Sequence, residues 1–405
     1  MKTSSPAPRR HRAGAVTAAL ALSVLGVLGG TGGAHAQQPT AAPEAPDTAA
    51  PGDVVTSEPT DFQYWPGYPA DATAWKIQYT STTATGGENT VSGTVVVPKD
   101  GKTGPRPLVA YAAGSVGMGD KCAPSAGFHD GSTTEAPLIN AALVRGFAVA
   151  VTDYEGLGTP GDHTYTVAQA EGTALLDAAR AAQRMPEAQQ LGVSTESPVG
   201  IMGYSQGGQA SAWAAELQPS YAPELKVKGT ASGGVPADLM KVAEHVNGGD
   251  EAGYIAMAAI GHDTAYPELD LDKYLNDDGR ALVETVREGC LGEIQEAAKG
   301  KKIEDYTVSN PLEQPDWKEK IGANDIGAKK PSAPVFLYHG EADTTIPYEL
   351  GTGLRGAWCD QGVAVQWQSF PGAAHVQAAI EGNGPALDWL GARFAGEATQ
   401  GNCGA

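Results

Sequence analysis

Gly203-Tyr204-Ser205-Gln206-Gly207 is the stretch that most constrains this chain. The G-x-S-x-G pattern marks a nucleophile elbow, a sharp strand-to-helix turn that exposes the serine hydroxyl. Glycine makes up 53 of the 405 residues, so the pattern can arise by chance and its surroundings decide what it means. Val199-Gly200-Ile201-Met202 reads as the end of a buried strand. The small-residue run 209–217 reads as a helix leaving the turn. The turn between them leaves no room for a Cβ at its flanks, which accounts for both glycines.

The same alternation runs through most of the chain. Short apolar or β-branched runs at 91–97, 107–113, 146–153, 198–204, 227–232, 334–339 and 363–370 read as strands, several followed by Gly, Asp or Pro turns. Helix-like stretches at 135–145, 165–185 and 208–217 lie between them. This predicts a mostly parallel sheet with helices on both faces, its functional groups at the carboxyl ends of the strands. The alternation lapses between about 235 and 330, where helical stretches at 238–246, 253–260, 271–274, 279–288 and 292–298 follow one another. An inserted helical cap over the sheet explains this lapse, since an ordinary strand-to-strand connection is far shorter.

A serine hydroxyl needs a base to take its proton, and the base needs an acid to orient it. In an α/β-hydrolase the acid and then the histidine follow the nucleophile in chain order, each after a strand. Asp343 sits in His339-Gly340-Glu341-Ala342-Asp343, just past the run 334–339, with Glu341 as its nearest rival. His375 ends Pro371-Gly372-Ala373-Ala374-His375, just past the run 363–370. Of the eight histidines, only His375 follows an acid candidate in the required order; His339 precedes it. A tetrahedral oxyanion also needs two N–H donors. Gln206, next to the serine, supplies one, and the loop Ala113-Gly114-Ser115-Val116-Gly117 supplies the other at Ser115, with Val116 as the alternative.

The N-terminus reads as a signal peptide over 1–36. Lys2, Arg9, Arg10 and Arg12 precede an apolar run at 15–28, and Ala34-His35-Ala36 is a small-x-small cleavage site. Residues 37–57, rich in Ala, Pro and Thr, read as a flexible leader, and 58–405 as one large domain carrying the cap. The signal holds four of the 27 basic residues and none of the 47 acidic ones, so the mature chain has a net charge of −24. That argues against nucleic acid or an anionic membrane as partner. No later segment is apolar enough to cross a bilayer, and the expected location is extracellular. Four cysteines, Cys122, Cys290, Cys359 and Cys403, favour two disulfides in an exported chain, with three pairings open. Their spacing fits no zinc site, and neither metal nor cofactor is expected.

From about residue 91 to 403 the chain resembles the secretory lipase family of α/β-hydrolases, the fungal lipase-A type with many actinobacterial relatives. The resemblance rests on several stretches. They are Asp120-Lys121-Cys122-Ala123-Pro124-Ser125, Asp153-Tyr154-Glu155-Gly156, the elbow with Gly207-Gly208, Ser220-Tyr221-Ala222-Pro223-Glu224-Leu225, Gly233-Gly234-Val235-Pro236, Asp343 with Ile346-Pro347-Tyr348, and His375. It implies a Ser205–His375–Asp343 triad, a helical cap at about 235–328, and disulfides Cys122–Cys290 and Cys359–Cys403. Acyl chains are expected to lie along apolar cap residues such as Ile255, Met257 and Ile260. The chain departs from the fungal type at Ser115-Val116, where that type carries an acidic residue. It also runs only 30 residues past His375, so that type's C-terminal flap is expected to be missing or minimal.

The function expected is an exported serine lipase or carboxylesterase acting on small or lipid esters through an acyl-enzyme. The alternatives are an exported peptidase or amidase of the same fold and a non-catalytic binding protein built on it. Cutinases share the elbow but are about half this length and keep acid and base close together.

Overall fold

The computed structural model describes residues 49–404. The signal peptide and most of the leader expected from the sequence lie outside these residues. The main sheet has nine strands. They are β1 (Val54–Thr60), β2 (Ala72–Thr82), β3 (Glu88–Pro98), β4 (Leu108–Ala112), β5 (Ala148–Tyr154), β6 (Val199–Tyr204), β7 (Val227–Gly233), β8 (Val335–Gly340) and β9 (Val365–Phe370). Their spatial order is β1-β2-β3-β5-β4-β6-β7-β8-β9. The pairs from β1 through β3 to β5 are antiparallel, and those from β5 to β9 are parallel.

Every residue of β4, β5, β6 and β8 is buried. Such strands need cover on both faces, which the connecting helices provide. Helices α1 (Ala136–Val144), α2 (Ala168–Arg184) and α3 (Gln206–Tyr221) occupy the stretches expected to be helical. Two apolar clusters result, one including Ile77, Leu175 and Trp358 and the other Val109, Phe336 and Leu390.

One expected boundary needs correction. Residues 54–57, expected within the flexible leader, instead open β1, which pairs with β2 from Val54↔Tyr79 to Thr60↔Ala74. Arg184 reaches back to Asp53 Oδ1 at 2.7 Å, so the fold extends further toward the N-terminus than composition suggested. Val54 and Val55 are β-branched and suit a half-exposed edge strand; the Ala and Pro of the preceding segment do not.

Between β7 and β8 lie α4 (Leu239–Val246), α5 (Gly253–Ala265), α6 (Asp277–Glu288), α7 (Leu291–Ala298) and α8 (Pro315–Gly322). They form the inserted cap, with an apolar core of its own around Met257, Ile260, Ile294 and Trp317. After β8 come α9 (Tyr348–Asp360) and, following β9, α10 (His375–Phe394).

Two disulfides link distant parts of this frame. Cys122–Cys290 ties the segment after β4 to the start of α7. Cys359–Cys403 ties α9 to the C-terminal tail. These are the pairings the family resemblance implied. Asn402 closes the outer edge of β9 by bonding Val365 O and both backbone groups of Trp367. An exposed strand edge is thereby covered.

Candidate active site

Strand register places the functional loops together. Ala112 pairs with Gly203, Tyr204 with Gly233, Gly233 with Tyr338, and Gly340 with Phe370. The loop after β4, the elbow after β6, the acid loop after β8 and the histidine loop after β9 therefore emerge at one edge of the sheet. This is where an open parallel sheet collects ligand-facing groups.

Ser205 has φ +60° and ψ −121°, a backbone state that residues with a Cβ rarely adopt. Packing holds it there. A Cβ on Gly203 would lie 2.0 Å from Gly207 O, and one on Gly207 would lie 2.0 Å from Ala112 O. Ser205 N–H donates to Gly233 O at 3.0 Å, and Gln209 N–H donates to Ser205 O at 2.9 Å, joining the turn to β7 and to α3.

His375 Nε2 lies 2.9 Å from Ser205 Oγ, and His375 Nδ1 lies 2.7 Å from Asp343 Oδ2. The other carboxylate oxygen, Oδ1, accepts the N–H groups of Thr345 (2.9 Å) and Ile346 (2.8 Å), which fixes the acid loop as a tight turn. Burial alone would raise the Asp343 pKa; hydrogen bonds from His339, His375 and the Ile346 N–H outweigh it and hold the carboxyl well below the ordinary range. Glu341, the rival acid, is exposed and takes a hydrogen bond from Ser369 Oγ instead. His339, which precedes the acid in chain order, also reaches it: its Nε2 lies 3.2 Å from Asp343 Oδ2.

The loop after β4 is woven into the cap. Gly114 N–H donates to Glu135 Oε1, and Ser115 Oγ lies 2.7 Å from Tyr165 Oη. Val116 O accepts from Leu291 N–H at 2.8 Å, and Met118 N–H donates to Gly289 O at 3.0 Å. The Cys122–Cys290 disulfide follows directly. Among the described residues no hydrogen bond engages the N–H of Gln206, Ser115 or Val116.

The side chain of Gln206 anchors a second network that the sequence did not announce. Its Nε2 donates to Glu171 Oε1 at 2.8 Å and faces His163 Nε2 at 2.9 Å, while His163 Nδ1 lies 2.9 Å from Glu155 O. Thr166 N–H adds a second hydrogen bond to Glu171 Oε1. Glu171 Oε2 is buried with no partner among the described residues. Burial pushes the Glu171 pKa up to about 8 against these two hydrogen bonds. It also pushes His163 down to about 4.

The sign for Glu171 follows from its proton. Between its ordinary value of 4.5 and about 8, the folded protein holds a proton that the unfolded chain has released. Stability from this group is therefore full below the first value and is lost as pH rises through the second. Glu171→Gln keeps an acceptor for Thr166 and Gln206 and removes the ionisation. From pH 5 to pH 8, urea unfolding should show the wild type losing about 2–4 kcal/mol more than the variant; equal losses would contradict the assignment.

An apolar cavity opens beside Ser205 and Gln206 and is walled by Leu239, Val242, Tyr254, Ile255 and Ile346. Two further apolar cavities lie within the cap, and Ile255 lines all three. Met257 and Ile260, expected along the same wall, are instead fully buried in the cap core and line none of the three. Among the described residues no group of His, Cys, Asp and Glu is placed to hold a metal ion.

A sheet of this topology, with its elbow, acid and histidine on one edge beneath a helical cap, makes the protein an α/β-hydrolase. The Secretory lipase family model matches residues 131–402, and the chain belongs to the secretory lipase family. Membership places it among ester-hydrolysing lipases. It is 29% identical to Lipase 6 of Candida albicans, over 89% of this chain and 82% of that protein. It is also 30% identical to a Mycobacterium tuberculosis protein named a probable inactive lipase, over 86% of this chain and 80% of that one. Its fold is similar to Candida antarctica lipase A in its closed state, with a TM-score of 0.78 and 25% identity over 88% of this chain and 85% of that one.

Proposed function

We propose that the protein is an extracellular serine lipase or carboxylesterase working through an acyl-enzyme. The observation that carries this reading is the unbroken hydrogen-bonded line from Asp343 through His375 to Ser205 Oγ. Ser205 Oγ attacks the ester carbonyl carbon as His375 Nε2 takes its proton, and the carbonyl oxygen becomes an oxyanion. The N–H groups of Gln206 and Ser115 receive that oxyanion. His375 then returns the proton to the leaving alkoxide, the C–O bond breaks, and the alcohol departs. Water, deprotonated by His375, attacks the acyl-enzyme; collapse of the second tetrahedral intermediate releases the acid and restores Ser205.

Asp343 keeps the Nδ1–H tautomer of His375 and stabilises the imidazolium that forms in each half-reaction. The cavity beside Ser205 is almost wholly apolar and suits an acyl chain better than a peptide, whose backbone amides would enter it without partners. A tuberculosis relative is named inactive, but the reading for this chain rests on its own residues, and all three triad members are present.

The test is a matched panel of p-nitrophenyl esters and aminoacyl nitroanilides. Turnover of the esters with anilides at background is expected. A preference for anilides would make this an amidase, and no turnover of either, with no labelling by a fluorophosphonate, would make it a binding protein.

A further inference from the structure

His339 is hard to explain as packing. It is fully buried in β8, a strand otherwise made of Val335, Phe336, Leu337, Tyr338 and Gly340. Its Nδ1 has no hydrogen-bond partner among the described residues, and a Cβ on Gly351 would come within 2.5 Å of it. An apolar side chain at this position would avoid burying that unpaired nitrogen. What the imidazole gains lies on its other side. Nε2 faces Ile346 O at 3.0 Å and Asp343 Oδ2 at 3.2 Å. Both oxygens can only accept, so Nε2 carries the hydrogen. That N–H points at the far end of the acid loop and lies against the very oxygen that His375 uses.

We propose that His339 is a positioning residue for the reaction: it clamps the loop from Asp343 to Ile346 and, through Asp343 Oδ2, sets how strongly His375 holds its proton. This rests on the triad reading above. Asp343 Oδ1 is already held by the Thr345 and Ile346 N–H groups, so the turn does not need His339 to form. Among the described residues, Oδ2 has only the two histidines. With His339 in place, part of the carboxylate's charge is met by the His339 N–H. Without it, the whole charge bears on His375, the imidazolium becomes more stable, and deprotonation of the base moves to higher pH. The remaining titratable neighbours are Tyr204 from β6, 5.0 Å from the His375 ring, Tyr348 from α9, edge-on to His339, and His245, Glu251 and Tyr254 from the cap. Among the described residues none of these is hydrogen-bonded to the Asp343 carboxylate.

The test compares His339→Phe with His339→Gln, whose amide N–H can reach where Nε2 stood. For the Phe variant, kcat on a p-nitrophenyl ester should fall about tenfold with KM within about twofold, and the acid limb of kcat/KM should move up by about half a pH unit. The Gln variant should restore both. A folded Phe variant with wild-type kcat and an unmoved limb would overturn the proposal while leaving the triad standing; wild-type activity that survives Ser205→Ala would remove the triad itself. Should the Phe variant not fold, the wild-type enzyme answers directly. Phosphonylation at Ser205, which leaves His375 protonated, should shift the His339 Nε2–H proton resonance, and a resonance that does not move overturns the proposal.

Discussion

Ser205→Ala should lower kcat on a p-nitrophenyl ester by about 10⁵-fold or more, with KM little changed. The serine hydroxyl is hydrogen-bonded to His375 Nε2, and alanine removes the attacking oxygen with few other contacts. The elbow itself should survive. Its glycine contacts and the Ser205 N–H bond to Gly233 O belong to the backbone, and alanine occupies φ +60° no less readily than serine. Circular dichroism and the thermal midpoint should match wild type, so a rate loss of this size reports chemistry. A fall of less than about tenfold would mean that another group attacks the ester.

Asp343→Asn should cost about 10⁴-fold in kcat, again with the fold intact. An asparagine can keep its carbonyl oxygen toward the Thr345 and Ile346 N–H groups, so the acid loop stays closed. Its amide nitrogen then replaces Oδ2, where His375 and His339 both approach. Donors would face donors. The His375 ring escapes by moving its proton to Nε2, and in that tautomer it cannot accept the proton of Ser205. Stopped assays of the purified variant over the neutral range would measure the loss. An effect within about tenfold of wild type would show that Asp343 does not orient the base.

The elbow, the acid and the base were legible because their chemistry demands particular residue types in a particular chain order after particular strands. Seven strands, β3 to β9, were legible as apolar or β-branched runs, and those buried on both faces leave continuous ones, such as Leu108-Val109-Ala110-Tyr111-Ala112. The first two strands were not. β2 does carry a period-two pattern, Trp75, Ile77 and Tyr79, all buried, but Lys76 and Gln78 alternate with them and Thr73, Thr80 and Thr82 flank them, so no continuous apolar run marks the strand. β1, with Pro59 and several polar residues, resembles the leader that precedes it. α10 was hidden by Gly382, Gly384 and Pro385, which suit a turn; Gly382 is there because a Cβ would strike the Tyr338 ring at 2.3 Å.

The supporting shell was the least legible part. His339 and Asp343, four residues apart, meet through a loop closure, and Gln206 meets Glu171 and His163 from 35 and 43 residues further along the chain. No spacing rule announces contacts that only tertiary packing creates. The same holds for the loop at Ser115, whose place is set by backbone bonds and a disulfide to a cap segment some 170 residues away.

The most direct measurement of the central claim is covalent labelling of the mature enzyme with a fluorophosphonate, read by intact mass and peptide mapping. One adduct per chain, located on Ser205, is expected, with none on Ser205→Ala and a much slower reaction on Asp343→Asn. A stoichiometric adduct on any other residue, or an actively hydrolysing protein that takes no label, would contradict the assignment of Ser205 as the nucleophile.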